Sequence, residues 1–131
     1  MFQTDTIISG EAMSSGDRVL LVENEPMVRA AIRMVLERNG LKVIDAESGV
    51  DALENLHQNP VRLVLLDTII PDMEIGGLLE QIKQCCAAPV VLMTTGSQEQ
   101  AVERDRRMGV ARVLNKPFNV FDFWENISSL L

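Results

Sequence analysis

Cysteine is almost absent: Cys85 and Cys86 are the only two among 131 residues, and they are neighbours in sequence. Without a CxxC spacing or a partner cluster they offer neither a disulfide framework nor a thiolate metal site, so both read as reduced packing residues of a reducing compartment. There is one histidine, His57, and alone it reads as a surface or helix-end group rather than a ligand or base. No apolar run approaches the roughly 18 residues of a membrane-spanning helix. The opening stretch MFQTDTIISGEAMSSGD also lacks the basic start and long apolar segment of a secretory signal, so a cytoplasmic location and no membrane partner are expected. Cations are in deficit, with 12 Lys and Arg against 19 Asp and Glu and a net charge of -7. That balance argues against direct binding of nucleic acid through a basic face.

Hydrophobic residues are plentiful, at 47%, and the length suits one core rather than two. Residues 1–17, rich in Ser, Gly, Thr and acidic groups without a sustained period, are expected to be a flexible extension, and residues 18–131 a single domain. Within that domain short apolar runs alternate with segments of helical period, the signature of a parallel sheet covered by helices. Val19 to Val22, Leu63 to Leu66 and Val90 to Met93 are apolar throughout, as strands buried on both faces must be. Weaker strands are expected at Lys42 to Ala46 and at Val110 to Leu114, whose Lys42, Asp45 and Arg112 suit sheet edges.

Five helical segments fall between and after these runs. The first opens at Pro26 and stops at Asn39-Gly40; the second is capped by Ser48 with Asp51 and carries Val50, Leu53 and Leu56. The third follows a loop from Thr68 to Gly77 and carries Leu78, Leu79, Ile82, Cys85 and Cys86. The fourth, about 98 to 108, is mostly charged and weakly anchored; the fifth, from about Asn119 to Leu131, has more apolar surface than one core-facing stripe needs. Five βα units with right-handed crossovers give a three-layer α/β sandwich, a five-stranded parallel sheet of order 2-1-3-4-5 with five helices, flavodoxin-like in arrangement.

In such a sheet ligands bind beyond the carboxyl ends of the strands, where the strand order reverses. Glu23 and Asn24 follow the first strand, Asp67 the third and Thr94 the fourth, and Lys116 lies just past the fifth. Carboxylates, an amide, a hydroxyl and an ammonium around one crevice fit phosphoryl transfer to a carboxylate. The nucleophile must be ionised, a divalent cation must offset its repulsion from phosphate, and an ammonium and a hydroxyl can meet the phosphoryl oxygens.

The segments VLLVENEP at 19–26, LVLLDTIIP at 63–71, PVVLMTT at 89–95 and LNKPF at 114–118 together resemble the receiver domain of two-component response regulators, chemotaxis-regulator-like. The resemblance implies a phosphoacceptor at Asp67, a switch hydroxyl at Thr94 and a phosphate contact at Lys116, with a cis peptide between Lys116 and Pro117. It implies a Mg²⁺ site formed by Glu23, Asn24, Asp67 and the backbone carbonyl of Ile69. It further implies a histidine kinase or phosphotransfer protein as donor. A downstream protein partner, or self-association, would use the face made by the fourth helix, fifth strand and fifth helix. Such a domain is a signalling module, catalysing at most its own phosphorylation and dephosphorylation.

Three positions depart from that family's pattern. Asn24 stands where a second acidic metal ligand is usual, which predicts weak Mg²⁺ binding. Val113 stands where an aromatic switch is common, and Ile75 stands where a glycine is common, with Gly76 and Gly77 following it. The first two leave open a degenerate receiver that acts as a phosphorylation-independent interaction module. A flavin carrier or an aspartate-nucleophile phosphatase fits less well. Glu23-Asn24-Glu25 would repel a flavin phosphate, and Asp67-Thr68-Ile69 is not Asp-x-Asp.

Overall fold

A computed structural model describes residues 16–95 and 109–131. In chain order these form β1 (Arg18–Val22), α1 (Pro26–Arg38), β2 (Lys42–Ala46), α2 (Gly49–Gln58), β3 (Leu63–Asp67), α3 (Ile75–Cys85), β4 (Val90–Thr95), β5 (Arg112–Lys116) and α4 (Val120–Ser128). The fifth helical segment of the sequence is therefore α4. The segment expected at 98 to 108, and nearly all of the extension expected over 1–17, lie outside the described residues.

The strands form one parallel sheet in the order β2-β1-β3-β4-β5. Because successive side chains of a strand point to opposite faces, the apolar runs divide between two cores. Leu20, Val22, Val64, Leu66 and Leu92 meet Ala52 and Leu56 of α2 and Leu78, Leu79 and Ile82 of α3. Val19, Leu21, Leu63, Leu65, Val91 and Met93 meet Ile32 and Leu36 of α1 and Phe123 and Ile127 of α4. The edge strands carry the exposed cations Lys42 and Arg112, which discourage further strand pairing.

Local signals set the helix ends. Pro26 occupies the first turn of α1, and Gly40, at φ 84°, allows the reversal in which the Leu41 N–H reaches back to the Leu36 carbonyl at 3.1 Å. Ser48 Oγ accepts the Asp51 N–H at 3.0 Å to open α2, and Asn119 Oδ1 accepts the Asp122 N–H at 2.8 Å to open α4.

Four elements differ from the sequence expectation. α3 begins at Ile75, so Gly76 and Gly77 lie inside it; burial of Ile75 against the α2–α3 core offsets the roughly 1 kcal/mol that each glycine costs a helix. Val50 is exposed, and the inward stripe of α2 is Gly49, Ala52, Leu53 and Leu56, two of whose members are too small to give a strong hydrophobic signal. β5 starts at Arg112 and ends at Lys116, so Lys116 is the last strand residue rather than one beyond it, and β4 likewise extends through Thr94 to Thr95.

Phe123 is fully buried and stacks on Phe118 with ring centroids 5.1 Å apart, whereas Phe121, two residues earlier, is 78% exposed. Phe123→Ala is expected to lower unfolding free energy by about 3–5 kcal/mol, and Phe121→Ala to change it by no more than about 0.5 kcal/mol; urea titrations of the two variants read both values.

Candidate functional site

The crevice lies where the strand order reverses, between the carboxyl ends of β1 and β3. Asp67 pairs in register with Met93, and Thr94 and Thr95 pair with Asn115 and Lys116, so the ends of β3, β4 and β5 lie side by side. Glu23 directly follows β1 and is completely buried. Asp67 and Thr94 are also buried, and these three are the buried polar or charged residues among those described.

Lys116 joins the carboxylates. Its Nζ lies 2.7 Å from Glu23 Oε1 and 3.3 Å from Asp67 Oδ2, and 3.7 Å from Oε1 of the exposed Glu25. The Lys116–Pro117 peptide is cis. The other carboxylate oxygens are held by backbone: Glu23 Oε2 accepts the Glu25 N–H at 3.0 Å, and Asp67 Oδ1 accepts the Ile69 N–H at 3.0 Å. Burial works against the charged form of Lys116, but its contact with Glu23 and the charge of Asp67 outweigh burial and hold its pKa above the ordinary 10.5.

Two buried carboxylates facing one ammonium leave an excess negative charge, which a buried site tolerates poorly unless a further cation shares it. Glu23 Oε1, despite its short contact with Lys116, accepts no aligned hydrogen bond among the described residues. Glu23 and Asp67 supply hard oxygens of the kind a divalent cation takes, but among the described residues no third acidic, His or Cys side chain gathers with them, so a Mg²⁺ site here would need neutral oxygens to complete it.

Asn24 is turned to a different task. It is exposed, and its Nδ2 donates to the Ile69 carbonyl oxygen, the backbone group that the sequence expectation assigned to the metal. Thr94 lies at the crevice edge, and its hydroxyl makes no hydrogen bond among the described residues. Val113 pairs with Leu92 and packs on the α2–α3 core. His57 is exposed, and Cys85 and Cys86 are free and half-buried.

One residue that the sequence did not single out is Asp72, whose carboxylate accepts the N–H groups of Gly49 at 2.8 Å and Val50 at 3.0 Å. The partners are 23 and 22 residues away, and nothing local in Pro71-Asp72 points to them.

The family model described as "Response regulator receiver domain" matches residues 19–128. This chain belongs to that family. Among curated relatives, the receiver is 31% identical to the transcriptional regulatory protein PdtaR of Mycobacterium tuberculosis over 106 residues, covering 80% of this chain and 52% of that protein. It is 29% identical to the chemotaxis protein CheY of Bacillus subtilis over 116 residues, covering 87% and 97%. The receiver thus spans about half the length of the transcriptional regulator and nearly all of the chemotaxis protein. Solved structures agree in fold. The receiver domain of a putative Luxo repressor protein from Vibrio parahaemolyticus superposes with a TM-score of 0.80 at 23% identity, covering 87% of this chain and 88% of that one. A two-component response regulator from Clostridium difficile gives 0.82 at 20%, covering 87% and 94%. No helix of the described receiver is long and apolar enough to cross a membrane.

The raised pKa of Lys116 fixes the sign of an alkaline effect. Its contribution to stability is fully present below the ordinary lysine value of 10.5 and is lost as pH climbs through the higher value of the folded state. The urea midpoint is expected to fall in that window, and Lys116→Met to remove this step from the pH profile. At neutral pH the same variant leaves two buried carboxylates unpaired and is expected to cost about 3–5 kcal/mol.

Proposed function

We propose that this receiver accepts a phosphoryl group on Asp67 from a phosphohistidine of a histidine kinase or phosphotransfer protein, and that the acyl phosphate changes affinity for a protein partner. The observation that supports this most directly is the contact of Lys116 with both Glu23 and Asp67 inside one buried, net-negative strand-end crevice. An Asp67 oxygen attacks phosphorus; the phosphorus–nitrogen bond to the donor imidazole breaks, its electron pair stays on the ring nitrogen, and a mixed anhydride forms. The Lys116 ammonium neutralises charge on the transferring oxygens, and the Thr94 hydroxyl donates to one of them.

Glu23, Asp67, Asn24 and the Ile69 carbonyl would hold Mg²⁺. When bound, the ion lowers the repulsion between carboxylate and phosphate. Asn24 donates an N–H to the Ile69 carbonyl, so its amide meets that group with a donor rather than with the oxygen that could ligate a cation. This and the missing charge make Mg²⁺ binding weak.

The output surface consists of the segment 98–108, β5 and α4, and it acts on a downstream protein or a second receiver through a shift between two packings. The receiver works in the cytoplasm and contacts no nucleic acid itself. A second reading, a receiver that binds partners without phosphorylation, is favoured by the Asn24–Ile69 hydrogen bond, which engages with each other two of the groups that would hold the metal.

Intact mass after incubation with acetyl phosphate separates the two. A single phosphoryl adduct that needs Mg²⁺ and disappears in Asp67→Ala supports the phosphoacceptor; no adduct from folded protein at high Mg²⁺ supports the phosphorylation-independent module. Asn24→Asp is expected to tighten Mg²⁺ binding by about tenfold or more, since a unit charge near a divalent ion is worth roughly a few kcal/mol at intermediate dielectric. Calorimetric titration with Mg²⁺ measures it.

A further inference from the structure

The loop from Thr68 to Glu74 carries the Ile69 carbonyl and links Asp67 to α3. Its first part is tied at Ile69, whose N–H goes to Asp67 Oδ1 and whose carbonyl accepts from Asn24. Its second part is tied elsewhere. Both oxygens of Asp72 are engaged at the first turn of α2, Oδ1 by the Gly49 N–H and Oδ2 by the Val50 N–H. These are two of the amide groups that a helix start leaves without intrahelical partners, and a carboxylate is the favoured acceptor there.

A second contact makes the approach close. Met73 lies so near Gly49 that a Cβ added to that glycine would stand 2.5 Å from the Met73 sulfur and 2.6 Å from its Cγ. α2 already has its own cap in Ser48, which serves the Asp51 N–H, so Asp72 adds a tether between two separate parts of the fold. The two bonds from Val50 and Gly49 hold the Asp72 carboxyl below its ordinary range, so the tether is charged at neutral pH.

We infer that Asp72 is a positioning residue for the strand-end site: by fastening the loop to the start of α2, it fixes where the Ile69 carbonyl stands relative to Asp67 and Glu23. The inference rests on the proposed Mg²⁺-dependent chemistry and adds to it a group outside the crevice. Asp72 touches neither phosphate nor metal in this role. It acts through the loop, as a hydrogen-bonded outer residue acts on a metal ligand.

The test compares wild type with Asp72→Ala, Asp72→Asn and Ser48→Ala by calorimetric Mg²⁺ titration, by the Mg²⁺ dependence of adduct formation with acetyl phosphate, and by urea unfolding. Asp72→Ala is expected to weaken Mg²⁺ binding by about tenfold, as loss of an outer-shell partner commonly does. Asp72→Asn, which keeps one acceptor oxygen, is expected to weaken it less. In both, saturating Mg²⁺ restores the adduct rate towards wild type. Ser48→Ala loosens the same helix start without releasing the loop, and its Mg²⁺ affinity is expected to remain that of wild type even where its urea midpoint falls as far. Unchanged Mg²⁺ affinity in Asp72→Ala, or equal weakening in Ser48→Ala, overturns the positioning role. A wild type that binds Mg²⁺ but forms no adduct overturns the phosphoacceptor reading alone, and the affinities still decide the role of Asp72. A wild type that binds no Mg²⁺ overturns both.

Discussion

A single ammonium set between two buried carboxylates governs what this end of the sheet can do. Lys116 comes from β5, Glu23 from the end of β1 and Asp67 from β3, so the contact exists only if the strands lie in the order and register that the sheet adopts. Each member is costly to bury alone, and the three together still carry one negative charge too many. The fold therefore holds a site whose electrostatics are unfinished. Its energy is lowered by whatever brings positive charge to Glu23 and Asp67, and that bias makes cation binding and phosphoryl chemistry compatible with the same few side chains.

Much of this architecture was legible because each central strand carries four consecutive apolar residues. β1, β3 and β4 are buried on both faces, so their runs stand out, and their ends placed Glu23, Asp67 and Thr94 within a residue or two. Edge strands gave weaker signals: β5, half-exposed and carrying Arg112 and Lys116, was expected two residues early. α3 was expected to begin after Gly77, because glycine reads locally as a loop; burial of Ile75 is a tertiary effect that propensity does not contain. Val50, one of the apolar residues that mark α2 in the sequence, is exposed, while inward positions go to Gly49 and Ala52, the former close against Met73.

The site was legible in membership more than in wiring. Strand-end position identified Glu23, Asp67, Thr94 and Lys116, yet it could not show which carboxylate takes the shorter contact with Lys116, nor that Glu25 would stand further off. Asn24 is the sharpest case. Its side chain offers an acceptor and a donor at equal reach, and only the position of the Ile69 carbonyl decides that the donor is used. Asp72 was invisible for a related reason, since its partners are backbone amides in another element.

These tethers also bear on how a change at Asp67 would travel. The route through an aromatic side chain at 113 is closed, because Val113 has no rotor and already packs opposite Leu92. The chain leaving Asp67, by contrast, is fastened at several points: to β4 through the Thr68 N–H, to Asp67 itself through the Ile69 N–H, to Asn24 through the Ile69 carbonyl, to the α2–α3 core through Ile70 and Met73, and to α2 through Asp72. A carboxylate that becomes an acyl phosphate alters the Ile69 N–H contact, and a cation that takes the Ile69 carbonyl shares that oxygen with Asn24. The contacts of Thr68 with β4, of Ile70 and Met73 with the α2–α3 core, and of Asp72 with α2 remain to hold the loop. A change at Asp67 on this side therefore meets a loop fastened at both ends, to β4 at Thr68 and to α2 at Asp72, so it bears first on the short stretch between them.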